Sequence, residues 1–157
     1  MTIQTRPARH ASGAPVAPAA QAGPTTAPAR SSVRPTARSP LRWVAALTLL
    51  ATGATHIPVI VEHLHEAPYI GVLFLALTAV TFTLALVLVD TDRPLVWAAS
   101  AVICALAVGG YLLSRATPLP QIGDDVGNWT EPLGLAAISV EATTVLLAAW
   151  RLLSRRR

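Results

Sequence analysis

Tyr69-Ile-Gly-Val-Leu-Phe-Leu-Ala-Leu-Thr-Ala-Val-Thr-Phe-Thr-Leu-Ala-Leu-Val-Leu-Val89 contains no charged residue. At about 1.5 Å per residue, a helix of about twenty residues crosses the roughly 30 Å hydrocarbon core of a bilayer. Three more apolar runs of similar length accompany it, at about 41–61, 95–113 and 133–153. A soluble core of this size would break into shorter amphipathic stretches. The composition agrees, with 53% of the 157 residues hydrophobic and 13% charged, about half the roughly 25% usual for soluble domains. These features define an integral membrane protein whose first partner is the lipid bilayer.

The connections at 62–68, 90–94 and 114–132 predict an all-α four-helix transmembrane bundle with up-down-up-down topology. Pro94 is placed to open the third helix. Pro58, inside the first run, removes a backbone hydrogen bond and clashes with the carbonyl of Ala54, so a kink is expected between them. That run is too long and too far from the N-terminus for a cleaved signal peptide.

Residues 1–40 hold seven prolines, five arginines and no acidic residue. Such a segment buries too little apolar surface to offset chain entropy, and a disordered cytoplasmic tail is expected. Its proline density argues against a transit peptide, while its charge suits anionic lipid headgroups. Residues 154–157 form a basic C-terminus. All twelve basic residues are arginine, which reads as the codon bias of a GC-rich, bacterial genome. The single cysteine, Cys104, lies within an apolar run and excludes an intrachain disulfide or a thiolate cluster. A packing role is expected for it.

Both termini and the second connection carry eleven of the twelve arginines, and Arg115 alone lies on the other side. The positive-inside rule then places both termini in the cytoplasm of a bacterial inner membrane, as a multi-pass protein. Trp43, Trp97 and Trp150 fall at inner helix ends, and Tyr69, Tyr111 and Trp129 at outer ends, the pattern of two aromatic belts. Ala101, Ala105 and Gly109 form a small-residue ridge on the third helix. Packing inside the bundle is the expected use of the ridge, ahead of a homodimer contact.

The polar residues gather on the outer side. His56, Glu62, His63, His65 and Glu66 fall within eleven positions, and Asp124, Asp125 and Glu131 lie in the third connection. Glu141 lies inside the fourth helix, about 15 Å inward from Glu131, and His56 lies about 9 Å below the outer boundary. The two side chains meet if the first and fourth helices are neighbours. A carboxylate near the midplane costs about 2.5–3.5 kcal/mol and seeks an interior partner. Thr52, Thr55 and Thr144 are hydroxyl candidates for that partner, in which case Glu141 is a satisfied packing residue.

His56, His63 and Glu66 share one face of a continuous helix. With Glu141 they are candidate metal ligands, and Glu62, His65, Asp124 and Asp125 are further contributors. Imidazole with carboxylate suits Zn or Cu(II), and the absence of nearby thiol or thioether argues against Cu(I). The competing readings are a solvated polar loop for Glu62–Glu66 and turn chemistry for Asp124-Asp125. A haem held by two axial histidines is disfavoured, because only His56 lies at membrane depth. No phosphate-binding loop, nucleophile elbow or zinc-protease helix is present, and nothing beyond the basic tail points to nucleic acid.

The segments Glu62-His63-Leu-His65-Glu66-Ala-Pro-Tyr69-Ile-Gly71-Val-Leu-Phe74 and Leu119-Pro-Gln-Ile-Gly123-Asp124-Asp125-Val-Gly127-Asn-Trp129-Thr-Glu131-Pro132-Leu-Gly134 resemble small four-helix membrane proteins of GC-rich actinobacteria. The resemblance covers about residues 41–153 and implies the fold and the choice of polar residues, without a reaction or ligand.

Two functions follow as expectations. In one, the protein binds a divalent metal or small polar ligand in an outward-facing His/carboxylate pocket. In the other, it is a structural or assembly subunit of a larger membrane protein complex. Below Glu141 the fourth helix offers only Thr143 and Thr144 as polar residues toward the inner side, which disfavours transport. An enzyme is least supported, since no nucleophile–base pair can be named.

Overall fold

The structure, a computed structural model, describes residues 38–156, and positions 1–37 of the tail expected over 1–40 lie outside them. Four long helices follow in order: α1 (Leu41–Glu66), α2 (Pro68–Asp90), α3 (Pro94–Ala116) and α4 (Pro132–Ser154). A single 3₁₀ turn, Gly123–Asp125, interrupts the last connection. All four helices are long and apolar enough to cross a membrane, and the described chain has the architecture of a multi-pass membrane protein. Pro68, Pro94 and Pro132 open three of the helices, where a missing N–H costs nothing.

The helices reach further than the apolar runs alone suggest. The expected first connection, 62–68, is largely absorbed: α1 continues unbroken through Pro58 to Glu66, and Ala67 alone separates it from α2. The Ala67 N–H donates to His63 O, and its own carbonyl accepts from the Ile70 and Gly71 N–H groups. So tight a reversal brings two backbones together. A Cβ added at Gly71 would lie 2.6 Å from Leu64 N, and one at Gly53 would lie 2.4 Å from the Phe82 ring.

Packing runs α1 on α2, α3 on α4 and α1 on α4, and of the adjacent helices α2 and α3 touch least. The half of the bundle nearest the termini is solid. There Ala45, Leu49, Ala85, Leu88, Trp97, Cys104 and Ala148 belong to one core. Trp97 departs from the belt expectation: it is fully buried, and its indole N–H donates to Asp92. Trp43, Trp129, Trp150 and Tyr69 remain exposed at helix ends. The small-residue ridge also differs from its expected use. Ala101 packs on the core, but Ala105 is exposed and a Cβ at Gly109 would meet open space.

Hydroxyls within the spans mostly bond back to their own helix, as Thr83 does to Ala79 O, Ser100 to Val96 O and Thr143 to Ser139 O. This satisfies each polar group without a partner helix, a requirement in a medium that offers no water.

Candidate functional site

The loop half of the bundle is hollow. A cavity of about 1180 Å³ opens there, lined by all four helices and the 117–131 connection. Its walls are apolar where α2 and α3 supply them, through Leu73, Leu77, Val80, Ile103, Leu106 and Ala107. Its carboxylates and histidines sit on α1, α4 and the connection, six carboxylates against the one guanidinium of Arg115, which with Tyr69, Tyr111 and Ser114 lines it from the ends of α2 and α3.

His56 and Glu141 meet at the cavity wall, His56 Nε2 lying 3.7 Å from Glu141 Oε1. Contact between α1 and α4 makes the meeting possible, as their matching depths predict. His56 Nδ1 lies 2.8 Å from Thr52 O. A carbonyl can only accept, so the Nδ1 proton is committed there, and in the neutral ring Nε2 presents its lone pair to Glu141. With Glu141 ionised, two acceptors then face each other beyond hydrogen-bonding distance. Glu141 is 2% exposed and its Oε1 has no hydrogen-bond partner.

The hydroxyls expected to satisfy Glu141 are engaged elsewhere or idle. Thr55 donates to Thr52 O, Thr144 donates to Thr48 Oγ1 and Val140 O, and Thr52 Oγ1 is itself without a partner. The arrangement differs from a carboxyl satisfied by internal packing. Buried polar atoms are nearly always paired, so an orphan beside a cavity calls for explanation.

The remaining predicted residues divide. His63 lines the cavity, with Nδ1 2.9 Å from Val59 O and its ring edge-on to Phe74. The His56 ring lies on the same phenyl group, with centroids 4.8 Å apart. Glu62 and Glu66 also line the cavity, but from the last turns of α1 rather than from a loop. His65 is exposed and does not line it. Asp124 lines the mouth, while Asp125 is bound to Arg115 at 2.7 Å.

Among the described residues, no three histidine, cysteine, aspartate or glutamate side chains converge as metal ligands. A protein zinc site takes at least three, and the Zn or Cu(II) expectation finds no support in this arrangement. Local commitments account for it: Nδ1 of His56 and of His63 is turned to its own helix, Asp125 is held by Arg115, and Glu131 is used elsewhere.

Three features escaped the sequence reading. Glu131 caps α4, accepting from Leu133 N and Gly134 N, and Gly134 has no Cβ to block the carboxylate or the Tyr111 ring. Arg115 is buried under the connection, stacks on Tyr111 and, through its carbonyl, accepts from Gly127 N. Tyr69 and Tyr111 donate to Pro120 O and Trp129 O, so both belt residues also fasten the cover of the cavity. The dipeptide Glu131-Pro132 was the one available signal for the cap, since proline favours the first helical position.

Comparison with known proteins finds no matching family, no matching curated protein and no matching solved structure, so four candidate membrane spans around a half-hollow bundle are what identifies this chain.

Proposed function

We propose that this is a membrane-embedded binding protein whose cavity, facing outward with both termini cytoplasmic, holds a ligand through a polar group at His56 and Glu141. The observation that carries this reading is the Glu141 carboxyl, 2% exposed, without a partner on Oε1, and on the wall of the cavity. A ligand donor there would satisfy an atom that the protein leaves bare. The orientation is supported by the arginine distribution.

The solid core around Leu49, Leu88 and Trp97 closes the half nearest the termini, so the cavity is one-ended. A one-ended cavity suits binding better than conduction. The shortage of converging ligands weighs against a metal.

The test is native mass spectrometry of detergent-purified protein, with elemental analysis of the same samples. A small molecule carried by the wild type and lost in Glu141→Gln and His56→Ala, both still inserted, supports binding. A ligand-free, metal-free wild type that co-purifies with another membrane protein would replace it with the assembly-subunit reading.

A further inference from the structure

The shape and charge of the cavity define a chemical class of ligand. We infer that it takes an organic cation with an apolar body, an alkyl or aryl ammonium, which enters from the bilayer between α2 and α3 and places its N–H groups between Glu141 and His56. This rests on the reading of the cavity as a binding site and adds to it what is bound and from where.

Polarity is the first ground. With Glu141 ionised, its Oε1 and the neutral His56 Nε2 are both acceptors, 3.7 Å apart, and no other protein donor reaches Oε1. An ammonium carries three N–H donors and no acceptor, and can donate to both at once. A carboxylate or phosphate head would bring a third acceptor and be repelled. A neutral hydroxyl has a single donor and would leave one of the two atoms bare.

Long-range charge agrees. Asp125 is neutralised by Arg115, and Glu131 is used at the N-terminus of α4. Among the described residues, Glu62, Glu66 and Asp124 line the cavity without forming an ion pair. Like-signed charge around a low-dielectric recess concentrates the opposite ion inside it.

Size and lining supply the apolar body. About 1180 Å³ lies at the upper end of pockets that hold drug-sized ligands, roughly 300–1,000 Å³, and far exceeds what a metal ion or a small polar solute fills. The apolar wall comes from α2 and α3, the two neighbours that touch least. Leu73 and Leu106 both line the cavity and stay more than half exposed. The seam between these helices is therefore the route from the lipid, and the ligand's tail can remain in it.

The experiment is calorimetric titration of dodecylamine, dodecanol and dodecanoate into the full chain in nanodiscs of zwitterionic lipid, with protein-free discs as the partition baseline. Saturable binding of dodecylamine is expected at one per chain, with the alcohol and the acid at baseline. Glu141→Gln, nearly isosteric, should weaken dodecylamine at least ten-fold. Ala107→Trp, which fills the apolar wall and leaves Glu141 in place, should abolish binding. Circular dichroism checks that both variants fold. Dodecanol binding as tightly as the amine, and lost equally in Glu141→Gln, would overturn the cation class and leave the binding-site reading standing. All three probes at baseline, or amine binding indifferent to both substitutions, would overturn the inference. In either case the mass-spectrometric test still decides whether the cavity binds anything at all.

Discussion

Asp92 and Arg151, 59 positions apart, meet at the end of the bundle that carries the termini, with Oδ2 2.5 Å from Nη2. The same carboxylate accepts from Ser39 N and Trp97 Nε1, and Arg155 lies 2.9 Å away. One side chain thus ties the α2–α3 turn to the start of α1 and the end of α4. The Asp92 side chain is 8% exposed, so its replacement strands donors that water does not readily reach. Asp92→Ala should cost about 2–4 kcal/mol, in the range for removing one member of a largely buried pair. Arg155→Ala, at a more exposed partner, should cost about 1 kcal/mol or less. Unfolding in mixed micelles measures both, and equal losses in the two variants would refute this ranking.

The same cluster sets an acid limit. Burial alone would raise the Asp92 carboxyl, but donors on Arg151, Ser39, Trp97 and Arg155 outweigh it and hold the group well below its ordinary value of 3.8. A carboxyl lowered in the folded state contributes stability that is complete above its unfolded value and is lost as pH falls below it. Between pH 6 and about 4, the stability gap between wild type and Asp92→Asn should stay constant. Below about pH 4 the gap should narrow, and it should still be closing near pH 2. A gap that widened on acidification would reverse the sign and refute the assignment.

Gly71 tests the tight reversal between α1 and α2. A Cβ at this position would lie 2.6 Å from Leu64 N and 2.8 Å from Leu64 Cα, and backbone atoms cannot rotate aside as a side chain can. Gly71→Ala should destabilise by about 1–3 kcal/mol, the range for overpacking. Gly109 and Gly110 have open space instead. Alanine there should be neutral or stabilising, by up to about 1 kcal/mol of helix propensity. Thermal unfolding of the three variants checks the contrast.

The four spans were legible because the apolar runs match the bilayer thickness, a signal that depends on little else. Their ends were less legible. Glu62–Glu66 reads as a loop by polarity, yet it completes α1 because Ala67 alone suffices to turn the chain. The periodicity was a better guide there, since Val59, Glu62, His63 and Glu66 all face the cavity at helical spacing. Depth counting brought His56 and Glu141 together because rise per residue is nearly constant. It gave no hint that Glu141 would lack a hydroxyl partner, which depends on rotamers of Thr55 and Thr144 bonding elsewhere. The Asp92 cluster was hidden for a different reason: Ser39 and Arg151 lie 53 and 59 positions from it, and no local pattern encodes such a meeting.

Glu131 links fold and site, and gives the last prediction. Its carboxylate accepts from Leu133 N at 2.9 Å and from Gly134 N, filling two of the backbone donors that the start of α4 leaves free. The negative charge also suits the positive end of the helix dipole. Glu131→Ala should therefore cost about 0.5–2 kcal/mol, the range for loss of an N-cap. Because Gly134 sits against both this carboxylate and the Tyr111 ring, the loss should spread to the cover of the cavity. Amide exchange at Leu133, Gly134 and Gly127 should quicken in Glu131→Ala, while amides around Leu49 and Ala148 in the core stay protected. Uniform acceleration across the bundle would instead make the cap part of global stability and sever its link to the cavity cover.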